Sequence, residues 1–276
     1  MTRPAPFSDD GGERRGSPPG DDGRIETVRL EGVTKRFGVK VAVSSLSLTL
    51  YAGEVFAFLG PNGAGKTTTL KMTTGLLRPD SGHVTVCGLS MRDAPRQAKQ
   101  HIAYVPDLPF LYDKLTGREF IYFVRDMYGV PPALAAQRLA HLVQRLDMAA
   151  FLDQLTEGYS HGMKQKLALA AALIHEPRLL VVDEPLVGLD PRSIRVIKTI
   201  FRELAQAGCT VFMSTHTLDV AEAVADRIGI LAGGRIVALG TLAALQAQSP
   251  GTRLEDIFLQ LTDEASAAPP VLERPA

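Results

Sequence analysis

The chain has no excess charge of either sign: Lys plus Arg and Asp plus Glu both total 30, for a formal net charge of zero. Without a global basic field, nothing holds a nucleic-acid backbone nonspecifically, and no nucleic-acid partner is expected. Cysteine is scarce as well. Only Cys87 and Cys209 occur, set among strand-forming residues and without metal-ligand spacing, which reads as two buried thiols in a reducing compartment. Long apolar runs are missing: the longest, Leu167 to Ile174, has eight residues, whereas a helix needs about 20 to cross a bilayer. No membrane-spanning segment is therefore expected. The start, MTRPAPFSDDGGERRGSPPGDDG, lacks the apolar centre of a secretory signal. Its Pro, Gly, Ser and charge content predicts a disordered arm over residues 1–24 and a cytoplasmic location.

What is present is enough apolar material for a core. Of 276 residues, 45% are hydrophobic and 22% charged, which fits one large globular domain or two small ones. Strand-like alternation over Glu26 to Phe37 and Ser45 to Leu50 predicts an antiparallel edge sheet. A short apolar run, Val55 to Leu59, is followed by a glycine-rich turn and a helical stretch from Lys66 to Leu77. From Leu108 to about Ile174 the pattern is helical, opening with Thr116 and Glu119 at capping-box spacing. Past Pro177 strands and helices alternate: Leu179 to Val182, Pro191 to Ala207, Thr210 to Ser214, Leu218 to Ala225, then strands around Ile228 to Leu231 and Arg235 to Ala238. That alternation predicts an α/β domain over 25–248 with a mainly parallel sheet, an N-terminal antiparallel subdomain and a helical subdomain inserted at about 108–175. The remainder, 249–276, is expected to be a tail with a short helix.

Gly60 to Thr67 reads GPNGAGKT and fills every fixed position of GxxxxGK followed by Ser or Thr. The loop Gly60, Pro61, Asn62, Gly63, Ala64 and Gly65, through the N–H groups of its residues other than Pro61, would turn donors inward around phosphates. The helix that follows, opening Lys66, Thr67, Thr68, offers its positive end. Lys66 is expected to reach the β and γ phosphates, and Thr67 to place its hydroxyl on Mg²⁺. Downstream, LLVVDEP delivers Asp183 and Glu184 to the carboxyl edge of the sheet, where ligands bind in open α/β folds. Asp183 would then hold the Mg²⁺ shell, and Glu184 would orient or deprotonate an attacking water.

With these motifs in place, the chain resembles the nucleotide-binding domain of ABC transporters from Glu26 to about Gly240. The most specific likeness is YSHGM, Tyr159 to Met163, which resembles the LSGGQ signature and keeps Ser160 and Gly162. VGLD, Val187 to Asp190, is similar to the loop that crosses the dimer interface, with Asp190 as its key carboxylate. His216 in MSTHT is similar to the switch histidine that contacts the γ-phosphate, and Phe37 in KRFG to the aromatic that stacks on adenine. Three signature positions depart from the pattern: Tyr159 for Leu, His161 for Gly and Met163 for Gln. Asp107, in YVPDLPF, stands where the family usually has a glutamine that touches metal and attacking water; a carboxylate can still ligate Mg²⁺.

The resemblance implies a P-loop NTPase (RecA-like) core that binds and hydrolyses ATP with Mg²⁺. It also implies pairing with a second copy or a paralogous cassette, each signature closing on the other's γ-phosphate. Separate transmembrane permease subunits are implied too, with this chain peripheral on the cytoplasmic face. The wording of LYDKLTGREF and STHTLDVAEAVADRI resembles bacterial exporter ATPases. Phe110 and Tyr112 are the candidates for docking a permease helix, while Phe120, Phe123 and Val124 are expected mostly in the core. The alternative is a soluble ABC ATPase acting on the ribosome or DNA. Against it stand a single GKT and a single VVDEP, and a gap from Lys66 to Ser160 too short for a coiled-coil insertion.

Overall fold

A computed structural model describes residues 23–247 and 254–267, with side chains to 262. The arm expected over 1–24 lies outside the described residues except for its last two, and so do 249–253 and 268–276 of the tail. The chain opens with β1 (Glu26–Phe37), β2 (Lys40–Tyr51) and β3 (Val55–Leu59), then α1 (Lys66–Thr73), β4 (Ser81–Val86), β5 (Leu89–Ser90), α2 (Pro95–Gln100) and β6 (Ile102–Val105). Three helices follow: α3 (Gly117–Met127), α4 (Pro132–Leu146) and α5 (His161–Leu173). The rest runs β7 (Leu179–Asp183), α6 (Pro191–Gln206), β8 (Thr210–Thr215), α7 (Leu218–Val224), β9 (Arg227–Ala232), β10 (Arg235–Gly240), α8 (Leu242–Ala247) and α9 (Leu254–Ala267).

Two sheets form. β1 pairs antiparallel with β2 and β4, and the four-stranded order is β2-β1-β4-β5. The larger sheet has the order β10-β9-β3-β8-β7-β6, parallel throughout except at the β10 edge. Its central strands are buried along their whole length, which is why they read as continuous apolar runs. The pleat sorts them between two cores. Val55, Ala57 and Leu59 face the core shared with the helices, whereas Phe56 and Phe58 face the one shared with the antiparallel sheet. There Phe212 meets both rings at centroid distances of 5.6 and 5.7 Å. The architecture is the mixed α/β arrangement that the sequence predicts, with an antiparallel sheet ahead of a mainly parallel one.

Several local outcomes differ from expectation. α1 ends at Thr73, not Leu77, because Gly75 takes φ +66° and the N–H groups of Leu76 and Leu77 turn back to the Lys71 carbonyl. β4 and β6 carry no strong alternation: β4 buries only Val84 and Val86, and β6 is four residues long. Cys87 is half-buried at a turn with φ +50°, not buried like Cys209. Burial raises both thiols, Cys87 to about 11 and Cys209 to about 12, so both stay protonated and unreactive at neutral pH. Among the described residues, no helix is long and apolar enough to cross a membrane.

Candidate functional site

The parallel strands β3, β7 and β8 end side by side, and their continuations build one site. After β3 the chain wraps through Gly60–Gly65 into α1. Two glycines make the wrap possible. A Cβ at Gly60 would lie 2.4 Å from the Leu231 carbonyl oxygen, and one at Gly65, where φ is +106°, would lie 2.4 Å from that of Ala42. Lys66, 7% exposed, folds back to donate to the carbonyls of Gly60 and Pro61 at 2.5 and 3.3 Å. Burial lowers the pKa of its ammonium, and the negative charges of Glu184 and Asp183 oppose that shift.

β7 supplies the carboxylates. Asp183, buried, accepts a short hydrogen bond from the Ser214 hydroxyl of β8 at Oδ1. Glu184 is the first residue past the strand and adopts φ +48°, a left-handed conformation that is strained for any residue with a Cβ. The kink is held by its N–H, which donates to the Ser214 carbonyl and hydroxyl, each at 3.2 Å. Its carboxylate lies 3.9 Å from Lys66 Nζ and 3.0 Å from His216 Nδ1, and it accepts from the His216 N–H at 3.4 Å.

A cavity of about 530 Å³ opens on this edge, lined among others by Phe37, Pro61, Asn62, Gly63, Gly65, Lys66, Thr67, Thr68, Asp107, Asp183 and Glu184. Gly60 and Ala64 support the loop from outside that lining, Ala64 being buried. Phe37 is half-exposed, with Lys35 Nζ 5.9 Å from its ring centroid. Ser160, Gly162 and Asp190 stand away from the cavity. Ser160 caps α5 by accepting from the Met163 N–H at 3.3 Å. Asp190 caps α6 through the Ser193 N–H and hydroxyl at 2.9 and 2.5 Å, bonds that pull its carboxyl below the usual range. These two helix starts touch each other: His161 Nε2 lies 3.2 Å from the Val187 carbonyl oxygen, and its ring closes over Gly188, where a Cβ would lie 2.9 Å from Cδ2.

Sequence reasoning overlooked Ser214, Lys40, Lys71 and Tyr104. The two lysines and the tyrosine line the cavity, and Ser214 fixes both carboxylate residues. Ser214 left a trace in the sequence, since TVFMST is an apolar strand that turns polar where it reaches the sheet edge. Tyr104 left none, because only the pairing of β6 with β7 brings it beside Asp183.

The residues fit a magnesium nucleotide. Glycines with close backbone neighbours shape the loop along one wall of the cavity, with a buried ammonium beside it. No group of three or more metal-binding side chains occurs among the described residues. Thr67, Asp183 and Asp107, all in the cavity lining, suit a cation that takes a few protein oxygens and the rest from phosphate and water, as Mg²⁺ does.

Residues 43–187 match the family profile described as ABC transporter. The chain is 38% identical over 235 residues to the linearmycin resistance ATP-binding protein LnrL of Bacillus subtilis, an alignment covering 85% of this chain and 74% of that protein. It is 36% identical over 247 residues to the Nod factor export ATP-binding protein I of Burkholderia lata, covering 88% and 81% respectively. A solved ATP-binding subunit of an ABC transporter superposes with a TM-score of 0.82 at 32% identity, covering 86% of this chain and 99% of that one.

Proposed function

The chain belongs to the ABC transporter family and is an ABC ATPase, and on that premise we propose that it powers export across a membrane, coupled to separate transmembrane subunits. Two copies, or this chain and a paralogue, close on two ATP molecules, hydrolyse them and reopen, and the closure moves the membrane partner. The chain sits at the cytoplasmic face, held there by that partner. The resistance and export named for its relatives support the direction of transport.

One observation carries the catalytic reading: the Glu184 carboxylate is held by a strained backbone within 3.0 Å of His216 and 3.9 Å of Lys66, in the lining of the cavity of about 530 Å³. In this reading Glu184 takes up or orients the proton of the attacking water, and His216 fixes the carboxylate and faces the γ-phosphate. Lys66 leaves its loop carbonyls for the β and γ phosphates, and the N–H groups of Asn62–Thr68 cradle them. Phe37 stacks on the adenine. Thr67, Asp183 and Asp107 hold Mg²⁺, which when bound neutralises charge spreading over the phosphates. Ser160 and Gly162 meet the nucleotide of the partner cassette, and Asp190 lines the interface between the two. No covalent intermediate is needed, because the task is positioning and charge stabilisation.

Glu184→Gln is expected to bind ATP as the native chain does, to lose turnover by about 10²-fold or more, and to accumulate an ATP-bound dimer in size-exclusion chromatography with light scattering. Native turnover in that variant overturns the assignment.

A further inference from the structure

The hydroxyl of Tyr104 is buried and has no hydrogen-bond partner among the described residues. A phenylalanine would occupy the same space without carrying a buried polar atom that nothing satisfies, so the hydroxyl calls for an explanation. Its surroundings supply one. Tyr104 pairs with Val181 across β6 and β7, and residues two apart on a strand share a face. Tyr104, Val181 and Asp183 are therefore neighbours on the side covered by α1, and Tyr104 packs on the core of that side with Phe58 and Leu70. The residue also lines the same cavity as Thr67, Asp107 and Asp183. A phenol keeps its proton at physiological pH, so the group is available as a donor.

We propose that Tyr104 is a further binding residue of the site, whose hydroxyl donates to the oxygen layer of the bound Mg²⁺–nucleotide complex beside Asp183 and Asp107. The inference rests on the reading of this cavity as the MgATP site. Two carboxylates and a triphosphate crowd one place with negative charge and acceptors. Tyr104 adds a donor there without adding a titrating cation. A donor kept without a protein partner is free to turn to the ligand without first breaking a bond.

The test compares the full chain with Tyr104→Phe by titration with a fluorescent ATP analogue, in Mg²⁺ and in EDTA, together with melting curves without nucleotide. The Kd in Mg²⁺ is expected to rise about tenfold in the variant, the effect of one hydrogen bond to a charged group. The Kd in EDTA is expected to change by less than about twofold, and the nucleotide-free Tm to stay or rise. Equal Kd values for both proteins in Mg²⁺ overturn the proposal, as does a loss of the same size with and without Mg²⁺, which marks a packing role. A native chain that does not bind the analogue in Mg²⁺ sinks the reading of the site, and this inference with it. An indifferent variant beside a native chain that binds sinks the inference alone.

Discussion

At the scale of single residues, the site depends on backbone conformations that side chains resist. Glu184 accepts a left-handed φ because its N–H donates to both the carbonyl and the hydroxyl of Ser214, and the kink turns the carboxylate off the line of β7 toward Lys66 and His216. Gly65 is the converse case, a position where only the absence of a side chain suffices. Gly65→Ala would meet both a disfavoured φ and the Ala42 carbonyl at 2.4 Å. It is expected to cost about 2 kcal/mol in denaturant unfolding and to abolish ATP binding in an equilibrium titration, because the loop must shift to make room. The letters GPNGAGKT disclosed the cradle at once, since its chemistry lies in contiguous residues. Neither the Ala42 contact nor the Ser214 brace could be read, as each joins residues distant in sequence.

Elements were legible in proportion to their length and periodicity. β3, β7 and β8 stood out as apolar runs ending in glycine, acid or hydroxyl, and α6 as an amphipathic helix opened by Asp190 and Pro191. β4, β5, α2 and β6 were not foreseen. Each is six residues or fewer, and their order is set by neighbouring strands more than by their own pattern. The contact between α3 and the α5–β7 connection lay beyond the sequence for the same reason. There the Tyr128 ring stacks on His175 at 3.6 Å, and the Tyr128 hydroxyl donates to the Ile102 carbonyl at 3.1 Å. Burial, aided by the nearby charges of Arg138 and His101, lowers the His175 pKa from 6.5 to about 4. Between those values the unfolded chain binds more protons than the folded one, so this contribution to stability is present above pH 6.5 and is lost as pH falls toward 4. Urea unfolding at pH 7 and pH 5 is expected to show a loss about 2 kcal/mol larger in the native chain than in His175→Gln.

For the whole molecule, an exposed apolar surface continues outward from the nucleotide cavity, sharing Leu108 with its lining. Leu108, Phe110 and Met127 are 75%, 83% and 67% exposed. Tyr112 lies among them with its ring edge-on to Phe110 and Phe123, at 6.1 and 5.5 Å between centroids. Phe120 and Val124 pack inward against the core, and Phe123 does not. Such an exposed apolar patch marks a contact surface. Phe110→Glu is expected to reduce copurification of the proposed transmembrane partner from detergent extracts while leaving the ATPase rate of the isolated subunit unchanged; undiminished copurification would place the contact elsewhere. The patch is also tied to α5, because Gln165, 2% exposed, donates to the Asp107 carbonyl at 3.1 Å.

The way Lys66 rests on the carbonyls of Gly60 and Pro61 bears on how a nucleotide is admitted. An ammonium that already lies among oxygens has shed most of its water and most of its rotamer freedom during folding. An arriving phosphate does not have to strip and immobilise a free cation. On the proposed reading it displaces the two neutral carbonyls in direct contact, while the Glu184 carboxylate stays 3.9 Å away, and an anionic oxygen outcompetes neutral ones by charge. On the proposed role of Lys66, entry is a substitution of ligands on a standing cation, and departure of the product is the same substitution run backwards, with the loop carbonyls ready to reclaim it.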